Sequence, residues 1–270
     1  MDMTPSETLL KTQGLGIQFG GLKAVDALDI EVRKGEIFGL IGPNGAGKST
    51  SFNLLSGALT PTSGRVFFKG EDVTKLKPFD MAKRGLARTF QLTNLFAGLT
   101  VIDTMLVGAH LHVKKGLLAS VFYTKGYREE LDQLRDEARR ILATVGLAGT
   151  EQASVDALSF VQQRRLEIAM AIATRPTMLL LDEPAAGLSP SETADLGVLI
   201  QTLNQQGITI ILIEHNTRFV MKLCARICVL DYGRKYAEGS PEEIVANPKV
   251  REIYLGRDVK QDHPEEHAHA

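Results

Sequence analysis

Gly42-Pro43-Asn44-Gly45-Ala46-Gly47-Lys48-Ser49 follows the spacing G-x-x-x-x-G-K-[ST], and the chemistry of that pattern is the gripping of phosphate. Its glycines let backbone N–H groups turn inward around phosphate oxygens. The helix that follows, opening through Thr50, offers its N-terminus to the anion, and Lys48 supplies a point charge between the β and γ phosphates of ATP. Ser49 would then hold Mg²⁺. Phosphoryl transfer needs a second half, a carboxylate at the end of another buried strand. Met178-Leu179-Leu180-Leu181-Asp182-Glu183 supplies it, with Asp182 as the Mg²⁺ partner and Glu183 placed to polarise a water against the γ phosphate. Alone, an acidic pair ending a strand also reads as a solvated turn. The phosphate loop tips the balance toward catalysis.

These residues need strands and helices to hold them. Ile37-Phe38-Gly39-Leu40-Ile41 reads as a buried strand entering the loop, and Phe52, Leu54, Leu55 and Leu59 lie at helical spacing after it. Before it, Val25 to Val32 alternates apolar and polar residues as a strand does. From about Thr93 to Asp156 the texture turns helical. Leu131, Leu134, Ala138, Ile141, Leu142 and Val145 form one apolar stripe opposite Arg128, Asp132, Asp136 and Arg140. Those charges read as a solvated helix face, with a partner-binding face as the alternative. Beyond the insert come strands at Met178 to Leu181, Ile208 to Ile213 and Arg226 to Leu230, with a helix after Pro190. The fold class is therefore α/β: a largely parallel sheet with helices packed on it, and an N-terminal β part. Ligands gather at the carboxyl ends of such strands, where Asp182 and the loop at Gly42 are expected to converge.

The 270 residues, 44% of them hydrophobic, suffice for one large domain. A net charge of -1 supplies no positive field for nucleic acid, which is excluded as a partner. Apolar runs such as Ile210 to Ile213 fall far short of the roughly 20 residues that span a bilayer. Met1 to Thr8 is acidic and unlike a secretory signal, so a soluble, cytoplasmic chain is expected. Cys224 and Cys228, one turn apart if helical, read as buried thiols. The tail from Lys260, with His263, His267 and His269, reads as disordered.

Further features resemble the ATP-binding subunits of ABC transporters, over nearly the whole chain from about Leu9 to Gly256. Gln91, in Arg88-Thr89-Phe90-Gln91, is similar to the family's Q-loop glutamine, which touches the metal and the catalytic water. His215 resembles the switch histidine that contacts the γ phosphate; a lone histidine, without its place after a core strand, reads more readily as a structural one. Leu158-Ser159-Phe160-Val161-Gln162 resembles the signature L-S-G-G-Q, which implies that Ser159 and Gln162 face nucleotide held by another subunit. Val161 stands where the signature has its second glycine, and Ser189 where the family usually has Asp. Phe19 looks like the aromatic on which adenine stacks, with a core phenylalanine as the alternative.

The resemblance implies a P-loop NTPase core with a helical ABC subdomain. One ATPase domain would span 1–256, its core about 1–92 and 158–256, its helical subdomain about 93–157, with a disordered tail at 257–270. It implies Mg-ATP hydrolysis, a second ATPase subunit, a transmembrane permease, indirectly an external solute-binding protein, and a place on the cytoplasmic face of the inner membrane. Gly42 to Lys48, Arg88 to Gln91, Asp182 to Leu188 and Asn247 to Gly256 together look like the branched-chain amino acid importer group. A P-loop small-molecule kinase, a non-transport ABC ATPase and a nucleotide-gated module without turnover are the competing readings.

Overall fold

Alternation and glycine punctuation before residue 40 do produce antiparallel strands, and the apolar runs after it produce parallel ones. A computed structural model describes residues 7–89, 98–109 and 125–253, the side chains of Lys125 and Tyr127 excepted. The chain divides into two compact units, Met1–Leu55 with Leu59–Thr74 and Leu212–Ala270, and Ser56–Ala58 with Lys75–Ile211.

In the first unit, β1 (Thr8–Phe19) pairs antiparallel with β2 (Leu22–Leu28), β3 (Glu31–Arg33) and β5 (Ser63–Phe68), and β5 with β6 (Glu71–Asp72). The continuous alternation expected over Val25 to Val32 is broken into two strands. Ala27, near the end of β2, takes a left-handed φ of 52°, and the buried Thr12 hydroxyl of β1 bonds both Leu28 O and the Ile30 N–H, which holds the chain where β2 gives way to β3 along the same partner strand. β4 (Ile37–Ile41) is buried at every residue, as a strand covered on both faces must be, and it runs parallel to β10 (Arg226–Asp231). β11 (Arg234–Gly239) returns antiparallel beside β10. The helices are α1 (Lys48–Leu55), α7 (Thr217–Leu223) and α8 (Pro241–Ala246). Cys224 caps α7 and Cys228 lies in β10, so they are not one helical turn apart; both are buried free thiols.

In the second unit, β7 (Leu86–Arg88) lies parallel to β8 (Met178–Asp182), whose four apolar residues are completely buried. On β8's other side is β9 (Thr209–Ile213), a strand that the division between the units crosses. The helices are α2 (Pro78–Arg84), α3 (Val101–Gly108), α4 (Lys125–Thr144), α5 (Phe160–Ala173) and α6 (Pro190–Gln205). α3, α4 and α5 pack on one another. The stripe on α4 does what its spacing requires: Leu134, Ala138, Leu142 and Val145 are buried, while Arg128, Asp132, Asp136 and Arg140 face solvent. Gly108 lets α3 approach α5 closely, since a β-carbon there would stand 3.0 Å from Met170 O.

Candidate active site

In the first unit the phosphate loop begins where β4 ends. α1 opens at Lys48, so the first N–H groups of the helix have no partner within it and point into the loop. Lys48 is buried, and its Nζ donates to Gly42 O at 2.7 Å and Pro43 O at 3.0 Å. A buried ammonium held by neutral carbonyls gains more from an anion, which suits phosphate. Asn44, Gly45 and Ser49 are exposed, Pro43, Gly47 and Thr50 half-buried, and Ala46 packs inside.

The loop is anchored from behind. The Gly233 N–H donates to Ala46 O at 3.0 Å, and the Asp26 N–H donates to Gly233 O at 2.9 Å. Gly47 fits because it lacks a side chain: its φ is 94°, and a β-carbon would stand 2.5 Å from Ala24 O. Arg234 Nε donates to Asp26 Oδ2 at 2.9 Å, and this hydrogen bond holds the Asp26 carboxyl below its usual range. Asp26 and Gly233 were not found by sequence reasoning. They carry no motif, and only the folded chain brings β2 and the β10–β11 turn to the loop.

Phe19 ends β1 opposite Leu22 at a hairpin tip, and both are exposed, at 50% and 69%. This removes the core alternative and leaves an aromatic face available for stacking. His215 stands two residues past the end of β9 and is exposed. Its N–H donates to Oε2 of the buried Glu214 at 3.2 Å, and Asn216 caps α7 by accepting from the Phe219 N–H at 3.1 Å. The histidine backbone is thus fixed between a strand end and a helix cap.

In the second unit, β8 delivers Asp182 and Glu183, both half-buried. Asp182 Oδ2 accepts from Arg88 Nη2 at 2.7 Å. Arg88 entered the sequence reading only as a neighbour of Gln91, so its pairing with Asp182 was missed. Glu183 has a left-handed φ of 47°, uncommon for a residue with a side chain, and its carbonyl accepts from the Ala186 N–H at 3.1 Å in the following turn. Ser159 and Gln162 meet as the capping box of α5: the Gln162 N–H donates to Ser159 Oγ at 3.3 Å, and the Ser159 N–H to Gln162 Oε1 at 2.9 Å. Phe160 is half exposed with the Arg164 guanidinium 5.1 Å from its ring centroid, and Val161 is half-buried. Ser189 caps α6 with Glu192 in the same reciprocal way, an N-cap role that serine fills as well as aspartate does. Gln91 lies outside the described residues.

Residues 25–186 match the family model described as ABC transporter. This chain belongs to that ATP-binding family. Residues 237–260 of this ABC protein also match the model described as branched-chain amino acid ATP-binding cassette transporter. It is 41% identical to the high-affinity branched-chain amino acid transport ATP-binding protein BraF of Pseudomonas aeruginosa, over 93% of this chain and 99% of the relative. It is 42% identical to the corresponding protein LivG of Escherichia coli, over 93% and 99% of the two chains. Among solved structures it resembles the ADP conformation of MJ1267, an ATP-binding cassette of an ABC transporter, with a TM-score of 0.82, 33% identity and coverage of 93% and 100%. The fold class expected from the sequence is that of the family, and so are ATP binding and ATP hydrolysis. Among the described residues no helix of this ABC protein is long and apolar enough to cross a membrane.

Proposed function

We propose that the chain is the Mg-ATP-hydrolysing subunit of an importer of branched-chain amino acids or related small metabolites, peripheral to the cytoplasmic face of the inner membrane. The observation that carries this reading is the match of residues 237–260 to the branched-chain amino acid cassette family, beside relatives named for that transport.

Lys48 and the loop N–H groups bind the phosphates. Ser49, a hydroxyl exposed in the first turn of α1, and Asp182, a half-buried carboxylate, are oxygen donors of the kind that Mg²⁺ takes. Bound there, Mg²⁺ would neutralise charge on the phosphate oxygens. Glu183 polarises the attacking water, His215 contacts the γ phosphate, Gln91 contributes to metal and water, and Phe19 stacks on adenine. Ser159 and Gln162 present the start of α5 to the nucleotide of a second ATPase subunit in a head-to-tail dimer.

A permease is supported by a mostly apolar hollow of about 350 Å³ in the second unit, walled by Phe79, Leu86, Val107, Met170 and Ala171. Phe79 and Val107 are 56% and 50% exposed, a surface suited to a helix brought by a partner. Its solute-binding protein acts outside the membrane, without touching this chain. Reconstitution with permease and solute-binding protein, followed by a panel of amino acids and amides, tests the proposal. Branched-chain amino acids should stimulate ATP hydrolysis; no stimulation by any of the panel sinks the importer reading.

A further inference from the structure

β7 ends at Arg88, whose backbone lies opposite Leu180 in the parallel pairing, two residues short of Asp182. That register brings the guanidinium onto the carboxylate: Nη2 to Asp182 Oδ2 is 2.7 Å, and Nη1 to Ser56 Oγ is 3.5 Å. The two side chains are 19% and 25% exposed, so water and salt screen the pair much less than a surface ion pair. Arg88 and Ser56 also line the hollow, a polar corner in a largely apolar wall. One side chain therefore touches both the carboxylate assigned to the metal and the surface assigned to the permease.

A carboxylate oxygen that accepts from a guanidinium has fewer lone pairs to offer a divalent cation, and two cations at this range repel. The arginine stem is flexible enough to swing its head aside without moving β7. We propose that Arg88 is a positioning residue that holds Asp182 against a divalent cation and yields it when an acceptor carried by the permease enters the hollow. The proposal rests on the assignment of Asp182 to Mg²⁺. The entering group is an acidic side chain or the carboxyl end of a helix, because the corner it meets is cationic and the walls around it are apolar.

The test reads binding by the full chain. The affinity for fluorescent mant-ADP is measured with Mg²⁺ and with EDTA, and the ratio of the two reports how strongly metal is engaged. Arg88→Met, which keeps the stem and removes the charge, should raise the ratio about tenfold, the scale of one charge-assisted pair. Val107→Glu places a rival carboxylate in the hollow and should raise it in the same direction, whereas Val107→Gln should not. Asp182→Asn should bring the ratio close to one. If Asp182→Asn leaves it unchanged, the metal assignment fails first. If Asp182→Asn lowers the ratio but Arg88→Met does not raise it, Arg88 is only structural and the proposal is overturned. An unchanged ratio in Val107→Glu overturns the release step. Thermal unfolding of each variant is followed in parallel. Should Arg88→Met fail to fold, Arg88→Lys takes its place, with a smaller rise expected and no rise overturning the idea.

Discussion

The Phe160 ring leans on Gly187: a β-carbon on Gly187 would stand 3.1 Å from Phe160 Cε1 and 3.4 Å from Cζ. The start of α5 and the turn after Glu183 are therefore in contact within one unit. Gly187 also has a φ of 79°. Gly187→Ala should lower stability by about 1 kcal/mol from the backbone alone, and by more from the displaced ring. Urea unfolding of Gly187→Ala and of Phe160→Ala/Gly187→Ala separates the two parts. Removal of the ring should restore only the contact part.

Lys48→Ala removes the buried cation that holds the Gly42 and Pro43 carbonyls, and with it the charge offered to phosphate. Nucleotide affinity should fall at least about tenfold and turnover should vanish. Equilibrium binding of mant-ATP checks it, and retained tight binding would count against the assigned loop.

Glu183→Gln keeps size and polarity but cannot act as a base, so ATP binding should persist while hydrolysis drops by about 10²-fold or more. A companion variant exploits the left-handed backbone at this position. Glu183→Gly should be at least as stable as the parent and equally inactive, because glycine adopts that conformation without strain. Thermal melts beside phosphate-release assays expose the idea: a glycine variant less stable than the parent would contradict it.

Val161 lies in the first turn of α5, beside the Ser159–Gln162 capping box. A β-branched side chain there should obstruct close approach by a nucleotide held on a second subunit, so the homodimer should be a weak ATPase and a heterodimer the working pair. Val161→Gly should raise homodimer turnover under identical Mg-ATP, even though glycine costs α5 a few tenths of a kcal/mol or more. No gain in rate defeats the impairment idea.

Burial pushes the Cys224 and Cys228 thiols up to about 12 from a free-thiol value of 9.0. Because the folded values lie above the unfolded ones, their contribution to stability is fully present below pH 9.0 and is lost as pH rises toward about 12. Urea midpoints should decline over that window, less steeply in Cys224→Ala/Cys228→Ala. At pH 8 neither thiol should react with a disulfide reagent before unfolding, and prompt labelling of native protein would refute their burial.

Much of this was legible before folding. The loop at Gly42 to Ser49 and the strand before Asp182 were readable because glycine spacing and unbroken apolar runs are local signals. The stripe on α4 was readable for the same reason. Arg88 was not, because its partner stands 94 residues away and the pairing depends on the register of two parallel strands. Asp26 and Gly233 were hidden likewise, since backbone hydrogen bonds between distant turns leave no trace in residue type. The break between β2 and β3 was missed because apolar alternation continues through Asp29 and Ile30, where the strands part.

The Asp26–Gly233–Ala46 relay means that the shape of the phosphate loop is set by residues that need not touch the ligand. A site preorganised in this way spends little conformational entropy at the moment of association, because that ordering was completed when the chain folded. Lesions in the β10–β11 turn would then act at a distance. They would slacken the receptor while leaving every group in contact with nucleotide chemically intact, and the loss would surface as a less favourable binding entropy.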